Sequence, residues 1–223
     1  MKGNHIPLPL KPAEPYSVDY FIPHSGVAEA IDSVSSAIDE LQENSSEFRM
    51  FFLHGPEGVG KRHLLALLGV MAKGSGVSFF SAEGTDDSDD WIRGFIDRYE
   101  RARREGGLLL VTSRSEPQAA FSNPHSGSRL RVARALRLGY PSEEELAPII
   151  KSIAEKHNLR LSERMLSFLV KRLPLQPLSF DNIFSRINEL SLEKGGRVTE
   201  GVFREVAAER VSKTGDDMLA LKK

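Results

Sequence analysis

One segment of the sequence constrains the fold more than any other. An apolar run, Met50 to Leu53, leads into the segment His54-Gly55-Pro56-Glu57-Gly58-Val59-Gly60-Lys61, and an apolar helical pattern begins near His63. The spacing G-x-x-x-x-G-K indicates a phosphate-binding loop when a strand precedes it and a helix follows it. Both flanks are present here, so we expect such a loop at the end of a buried strand.

The residue types of this loop predict what it can bind. Gly55, Gly58 and Gly60 would let successive backbone N–H groups converge on phosphate oxygens, and Lys61 would add a mobile positive charge. The next position normally holds Ser or Thr, whose hydroxyl ligates Mg²⁺, but here it is Arg62. We therefore expect a nucleotide site in which ADP or ATP binding is weak or absent, Mg²⁺ is not held and hydrolysis is negligible.

Composition excludes several classes of protein. With 223 residues and 40% apolar content, the chain can bury a real core in one or two domains. The formal net charge of −1 gives no general attraction to nucleic acid or anionic membranes. The absence of cysteine excludes disulfides and thiolate sites. No apolar run approaches the roughly 18 residues of a membrane helix, and the start lacks a signal-peptide core, so we expect a cytoplasmic protein.

Periodicity divides the chain into four parts. Residues 1–15 contain four prolines, which predicts an extended arm. Residues 16–140 alternate between apolar strands and amphipathic helices, which predicts a three-layer α/β domain with a parallel sheet. The expected strands are 49–54, 77–82 and 107–112, and the expected helices include 26–43 and 61–73. Residues 141–211 show only helical periodicity, and 212–223 read as a polar tail.

An acidic cluster precedes one helix of the α/β domain. Four carboxylates, Asp86, Asp87, Asp89 and Asp90, could cap this helix or form a metal site. Adjacent Asp residues at a helix start do not all point the same way, so we favour the helix cap.

The helical part contains four expected helices. They cover about 142–157, 162–173, 179–194 and 199–211, with Ser142, Ser162, Ser179 and Thr199 as expected caps. Glu145 follows Ser142 by three residues, which is the spacing of a capping box. We expect these helices to form a small domain beside the nucleotide-binding-like domain.

Several segments, in a common order, resemble the DnaA-related branch of the AAA+ proteins. The segments are Tyr16 to Ile22, His63 to Gly69, Leu109 to Ser113 with Pro117, Ser128-Arg129-Leu130 and Pro141 to Glu145. They are similar to the family's adenine-proximal segment, phosphate-loop helix, sensor-1 strand, arginine-finger motif and the start of its lid domain. The resemblance covers nearly the whole chain and implies an AAA+ domain followed by a helical lid.

Within this branch the N-terminus resembles the Hda family of replication-initiation regulators. His5 to Leu10 is similar to the hexapeptide with which that family docks on the DNA polymerase sliding clamp. The resemblance implies clamp binding through Ile6, Leu8 and Leu10, although His5 replaces the family's glutamine. A proline-stiffened peptide with alternating apolar anchors loses little entropy in a groove, but a proline-rich leader with incidental leucines is the alternative.

The same resemblance assigns a role to Arg129 and a second partner. Arg129 would be an arginine finger acting in trans on nucleotide bound by a DnaA-type initiator. The alternative is an ordinary surface arginine, because Arg131, Arg134 and Arg137 follow closely.

The chain also departs from the family pattern. One β-α unit is missing: either the unit with the Walker B acid, or an earlier unit, in which case Ala82 replaces the metal-binding Asp and Glu83 is retained. Arg114 replaces the sensor-1 Asp, and Asp181 replaces the sensor-2 arginine. No segment resembles the family's helix-turn-helix, so we expect no sequence-specific DNA binding.

Three functions follow as hypotheses. We favour a non-hydrolysing adaptor between the sliding clamp and a DnaA-type initiator. The alternative is an active ATPase in which Arg62 or another cation partly replaces the metal. A DNA-binding module using the basic run from Arg129 to Arg137 is disfavoured by the neutral overall charge.

Overall fold

The α/β part of the chain is built on a four-stranded parallel sheet. The computed structural model describes residues 18–84, 88–117, 124–172, 177–193, 201–203 and 205–206. In chain order the strands are β1 (Phe48–His54), β2 (Phe79–Ala82), β3 (Gly107–Ser113) and β4 (Arg134–Arg137), and their order in the sheet is β2-β3-β1-β4. Every neighbouring pair is parallel, so the carboxyl ends of the strands lie at one edge.

Helices cover both faces of this sheet. They are α1 (Ser25–Glu43), α2 (Lys61–Gly74), α3 (Asp89–Glu105) and α4 (Pro124–Leu130). Along β1, Phe51 and Leu53 pack with α1 and α2, whereas Met50 and Phe52 pack with α3. This two-residue alternation feeds two apolar clusters from one strand. The predicted three-layer α/β arrangement is confirmed.

The short edge strand β4 was not predicted. It pairs with β1 in the register Phe51 to Arg134, and Leu136 is its buried residue. Arg134 and Arg137 are exposed, and in the sequence they read as a basic run rather than a strand. Charged side chains on a short edge strand discourage pairing with other chains.

The start of α3 agrees with the interpretation of the acidic cluster as part of a helix start rather than a metal site. The Trp91 N–H donates to Ser88 Oγ at 3.3 Å, and Asp89 and Asp90 lie in the first turn, near the positive end of the helix dipole. Asp86 and Asp87 lie outside the described residues. In the described part of the chain, no group of three or more His, Asp or Glu side chains is arranged to hold a metal ion.

A separate helical unit follows the sheet, as expected. It comprises α5 (Leu146–Lys156), α6 (Glu163–Arg172) and α7 (Pro177–Glu193), with further helical residues at 201–203 and 205–206. Residues from all of these pack into one apolar cluster around Phe180 and Phe184. We call this unit the lid.

Two of the expected lid caps are wrong and one is confirmed. The first lid helix begins at Leu146 rather than near residue 142, because residues 143–145 form a turn. Ser179 lies inside α7. Ser162 accepts a hydrogen bond from Met165 N–H at 3.3 Å and caps α6 as predicted. The expected cap Thr199, the arm residues Ile6, Leu8 and Leu10, and the tail lie outside the described residues.

The Glu145 carboxylate joins the lid to α1. It accepts hydrogen bonds from the Ser25 N–H at 2.8 Å, the Ser25 hydroxyl at 2.7 Å and the Ser142 N–H at 2.8 Å. These bonds, that from the Ser142 N–H first, lower the pKa of Glu145 to about 2. The predicted capping-box glutamate therefore forms half of the box and bridges two units of the fold. None of the described helices is long and apolar enough to span a membrane.

A close backbone approach beside this bridge gives a test of the fold. A Cβ added at Gly26 would lie 2.7 Å from the Tyr140 carbonyl oxygen and closer still to that of Gly139. Backbone atoms cannot move aside cheaply, so Gly26→Ala should lower the free energy of unfolding by about 1–3 kcal/mol. Urea denaturation checks this. Gly74→Ala is the matched control, because nothing lies within 4 Å of its added Cβ, and it should be neutral or stabilising.

Candidate nucleotide site

A cavity of about 580 Å³ lies at the carboxyl edge of the sheet. Its walls come from the Gly-rich loop, the ends of β2 and β3, Tyr20 and the lid helices α5 and α7. This volume is in the range of about 300–1,000 Å³ that is usual for small-molecule sites. The segment that resembles the family's adenine-proximal region therefore reaches the cavity through Tyr20.

The three loop glycines have different roles. Gly58 and Gly60 line the cavity and have left-handed φ values of 76° and 92°, which favour glycine. Gly55 lies behind the wall, where an added Cβ would be 2.5 Å from the Leu138 carbonyl oxygen. Its N–H donates to the Ser113 carbonyl at 3.3 Å. Gly58 and Gly60 thus contribute backbone to the cavity wall, whereas Gly55 lets the loop pass the edge of the sheet.

Lys61 is folded back on its own loop. Its Nζ donates to the carbonyl oxygens of Gly55 and Pro56, at 2.7 Å in each case. Burial, together with the nearby Arg114, lowers the pKa of Lys61, and Glu57 opposes that shift. A phosphate entering the cavity would offer Lys61 a stronger, charged acceptor than these carbonyls.

Arg62 forms an ion pair with Glu83 at the cavity wall. The Arg62 Nε lies 3.0 Å from Glu83 Oε2, and the side chains are 62% and 50% exposed. The segment around Glu83 is held in place, because Trp91 Nε1 donates to the Glu83 carbonyl and the Gly84 N–H donates to Thr112 Oγ1. The carboxyl end of β2 therefore forms part of the site.

This arrangement does not fit a magnesium ion. Where the motif normally supplies a hydroxyl ligand, the chain has a guanidinium that carries only N–H donors. The carboxylate opposite it is already ion-paired with that guanidinium. Ala82 is the residue that replaces the metal-binding Asp if β2 is the Walker B strand. It packs into the core against α3.

A second arginine and a second glutamate pair at the far side of the loop. The Arg114 Nη2 lies 3.0 Å from Glu57 Oε2, and both residues line the cavity. Arg114 stands where the resemblance implies the sensor-1 Asp, so this wall offers a cation instead of an anion.

The lid contributes a cation that the sequence reasoning missed. Asp181 lines the cavity but is bound by Lys156 at 3.0 Å and His157 at 2.9 Å. The hydrogen bond from His157, aided by Lys156 and opposed by burial, lowers the pKa of Asp181 to about 2. The expected negative charge at Asp181 is therefore balanced locally. Lys156 had no motif to identify it, because only the packing of α5 against α7 brings it here.

His63 is a further lining residue that the sequence reasoning left unassigned. Burial is the main cause that lowers its pKa, the Lys156 charge lowers it further, and Asp181 opposes the shift. A neutral His63 adds no charge to the cavity at neutral pH.

The formal charges of the described lining residues leave an excess of one positive charge. Each carboxylate lies within 3.0 Å of a cation of the same wall. The cations are Lys61, Arg62, Arg114 and Lys156, and the carboxylates are Glu57, Glu83 and Asp181. The cavity suits an anion.

Arg129 is not at this cavity. It lies on α4, and its Nε and Nη2 donate to Glu100 Oε1 at 3.1 and 2.8 Å. Its guanidinium also lies 5.5 Å from the centre of the Tyr99 ring. Arg131, Arg134 and Arg137 are exposed. Arg129 therefore does not face a ligand in this cavity, and any contact that it makes with a nucleotide would have to be on a neighbouring molecule.

The fold is similar to that of solved structures of DnaA and RuvB. Domain III of the Thermotoga maritima replication initiation protein DnaA superposes with a TM-score of 0.69 at 15% identity, covering 89% of this chain and 98% of that chain. AMPPCP-bound DnaA from Aquifex aeolicus gives 0.61 at 17% identity, covering 90% and 71%. The Thermotoga maritima RuvB Holliday junction branch migration motor gives 0.61 at 17% identity, covering 86% and 71%. No protein-family model matches the sequence, and neither does any characterised protein sequence.

The Asp181 cluster predicts a pH-dependent contribution to stability. Asp181→Asn leaves Lys156 and His157 without their carboxylate and should lower the free energy of unfolding by about 1–3 kcal/mol near neutral pH. Because folding lowers this pKa from 3.8 to about 2, the contribution is present above about pH 4 and is lost as the pH falls through 2. Urea unfolding at a series of pH values measures it. Asp90→Asn, at an exposed ion pair, is the control.

An equal loss in the control variant, or a loss that persists at pH 2, would contradict this account.

Proposed function

We propose that this protein is a nucleotide-binding AAA+ regulator of replication initiation, similar in role to the Hda family. It would act as an adaptor without hydrolysing nucleotide. The observation that carries the proposal is the cavity bounded by Gly58, Gly60 and Lys61, within a fold that covers nearly all of DnaA domain III. The nucleotide class is supported by the AMPPCP-bound DnaA structure, which shares the fold.

The geometry around Arg62 supports the absence of hydrolysis. Phosphoryl transfer requires the charge on the transferred group to be neutralised by a held metal ion or an equivalent. Here the guanidinium of Arg62 is engaged with Glu83, the carboxylate that would otherwise help to hold a metal or orient water. The site is therefore suited to retaining a nucleotide rather than turning it over.

The adaptor role adds two contacts outside the cavity. The N-terminal arm, through Ile6, Leu8 and Leu10, would bind the DNA polymerase sliding clamp. Arg129 would leave Glu100 and reach nucleotide held by a DnaA-type initiator, where a planar guanidinium can neutralise transition-state charge. For this, Arg129 would exchange its bonds to Glu100, which is 51% exposed, and its contact with the Tyr99 ring.

An active ATPase is the second candidate function. One observation favours it: Glu83 lies at the end of β2 on the cavity wall, where a carboxylate could orient a water molecule. The two candidates differ in turnover, which the next experiment measures.

We expect the protein to bind nucleotide through Lys61 and not to hydrolyse it. ADP titration by calorimetry should give binding that Lys61→Ala weakens by about tenfold or more, because a charge-assisted hydrogen bond to phosphate is lost. Lys73→Ala, on the exposed face of the same helix, should leave the affinity unchanged. Phosphate release that depends on Lys61, at a rate on the order of 1 per second, would instead support the ATPase.

The adaptor role predicts stimulation of a partner's hydrolysis. In a single-turnover assay on an ATP-loaded DnaA-type initiator with clamp and DNA, Arg129→Ala should lower the stimulation by on the order of 10³-fold. Arg101→Ala is the matched control, since Arg101 is also paired with a glutamate and lies 5.6 Å from the centre of the Phe80 ring. Deletion of residues 1–11 should remove clamp binding and with it the stimulation.

Two results would count against this role. Equal stimulation by the wild type and Arg129→Ala would make Arg129 a packing residue of α4. Equal clamp binding by the full-length and truncated proteins would remove the arm from the proposal.

A further inference from the structure

We infer that Arg62 replaces the magnesium ion of the site, so that the cavity takes ADP or ATP as the free anion rather than as its complex with a divalent cation. The inference rests on the proposed function, since it requires the cavity to bind a nucleotide. It extends that function by stating which chemical form of the ligand is bound and which residue selects it.

The first observation is the position of Arg62. It follows Lys61 at the start of α2 and lines the cavity. A guanidinium offers N–H donors and a permanent positive charge, whereas a metal ion at this place needs oxygen ligands. A second cation close to the guanidinium would be repelled. The same donors suit phosphate oxygens, because their planar fork matches that geometry.

The second observation is how Glu83 holds Arg62 at the cavity. The Trp91 indole N–H donates to the Glu83 carbonyl at 3.3 Å, and the Gly84 N–H donates to Thr112 Oγ1 at 3.2 Å, so the backbone beside Glu83 is fixed. The Glu83 carboxylate binds Arg62 through Nε. Glu83 therefore keeps the Arg62 guanidinium at the part of the cavity wall where a metal ion would otherwise bind. Both side chains are at least half exposed, and such a pair is weak enough for phosphate to displace.

The third observation is the state of the other carboxylates. Glu57 is paired with Arg114, and Asp181 is paired with Lys156 and His157. Among the described lining residues, each carboxylate thus already bonds a cation of the protein. A divalent ion would have to displace one of these cations, whereas an anionic phosphate meets several of them.

The test compares ADP binding with and without metal in the full-length protein. Calorimetric titrations should give the wild type a higher apparent affinity in excess EDTA than in Mg²⁺, because Mg²⁺ withdraws ADP into a complex that the cavity does not take. Arg62→Ser restores the hydroxyl and releases Glu83. This variant should bind ADP about tenfold more weakly in EDTA and regain much of that loss in Mg²⁺. Arg93→Ser, which breaks an exposed ion pair on α3, should behave as the wild type in both buffers.

A second variant, Glu83→Gln, distinguishes two roles of Glu83, because they predict opposite changes in ADP affinity in Mg²⁺. If Glu83 only holds Arg62, Glu83→Gln removes a negative charge from the cavity and should tighten ADP binding by about two- to fivefold in EDTA. If Glu83 were a metal ligand, the same change would weaken ADP binding in Mg²⁺, whereas it would tighten binding in both buffers if Glu83 only holds Arg62. Thermal unfolding of each variant confirms that the fold is retained.

The outcomes separate this inference from the proposed function. Wild-type binding that is as tight or tighter in Mg²⁺ than in EDTA, or an Arg62→Ser variant that binds as the wild type in EDTA, overturns the inference alone. Absence of ADP binding by the wild type in both buffers overturns the nucleotide site and this inference together. Wild-type binding that is tighter in EDTA than in Mg²⁺, with the order reversed in Arg62→Ser, supports both.

Discussion

The position of β1 at the centre of the sheet is the constraint on which the site depends. Both flanking strands are parallel to it, and its alternate residues fill two cores. Phe48–His54 pairs with β3 over its whole length, and Phe51–His54 also pairs with β4. The chain leaves this strand directly into the phosphate loop, under the Leu138 carbonyl of the segment that follows β4. Only glycine fits at residue 55, because any side chain would meet that carbonyl at 2.5 Å. The cavity is therefore positioned by backbone packing, and its side chains can vary without moving the loop.

Because backbone packing positions the loop, the side chains of the site can change its chemistry without changing its shape. Gly58 and Gly60 retain the left-handed turns that aim the loop, while Arg62 and Arg114 stand where the family resemblance leads one to expect a hydroxyl and a carboxylate. A fixed guanidinium differs physically from a bound metal ion. It brings one charge instead of two, it is always present, and it cannot exchange with solvent. Such a site favours retention of a polyanion, whereas phosphoryl transfer requires stronger neutralisation of the developing charge.

The sequence alone predicted more of the fold than of the candidate site. Apolar residues at helical spacing predicted α1, α2 and the lid helices, and the short apolar run before the loop predicted β1, because a strand buried on both faces reads as a continuous apolar run. The strand β4 escaped prediction, since it is four residues long and Leu136 is its buried residue, so the arginines dominated the pattern. Within the site, the loop motif identified Lys61 and Arg62, which are local in sequence. Lys156 and the pairing of Arg62 with Glu83 depend on tertiary contacts across 21 or more positions, and single-sequence periodicity carries no information about them.

The lid and the cavity are linked through contacts that do not need hydrolysis. Ser152 of α5 donates to the Tyr20 carbonyl at 2.9 Å, and Tyr20 lines the cavity. Lys156, at the end of the same helix, faces the cavity while bound to Asp181 of α7. A phosphate bound near Lys156 would compete with Asp181 for the same ammonium group, so occupancy of the cavity would alter the contact between two lid helices. Differential affinity of a ligand for two arrangements is sufficient to shift their populations. Under the proposed function, a nucleotide bound in the cavity would therefore act on the lid by occupancy alone, without being hydrolysed.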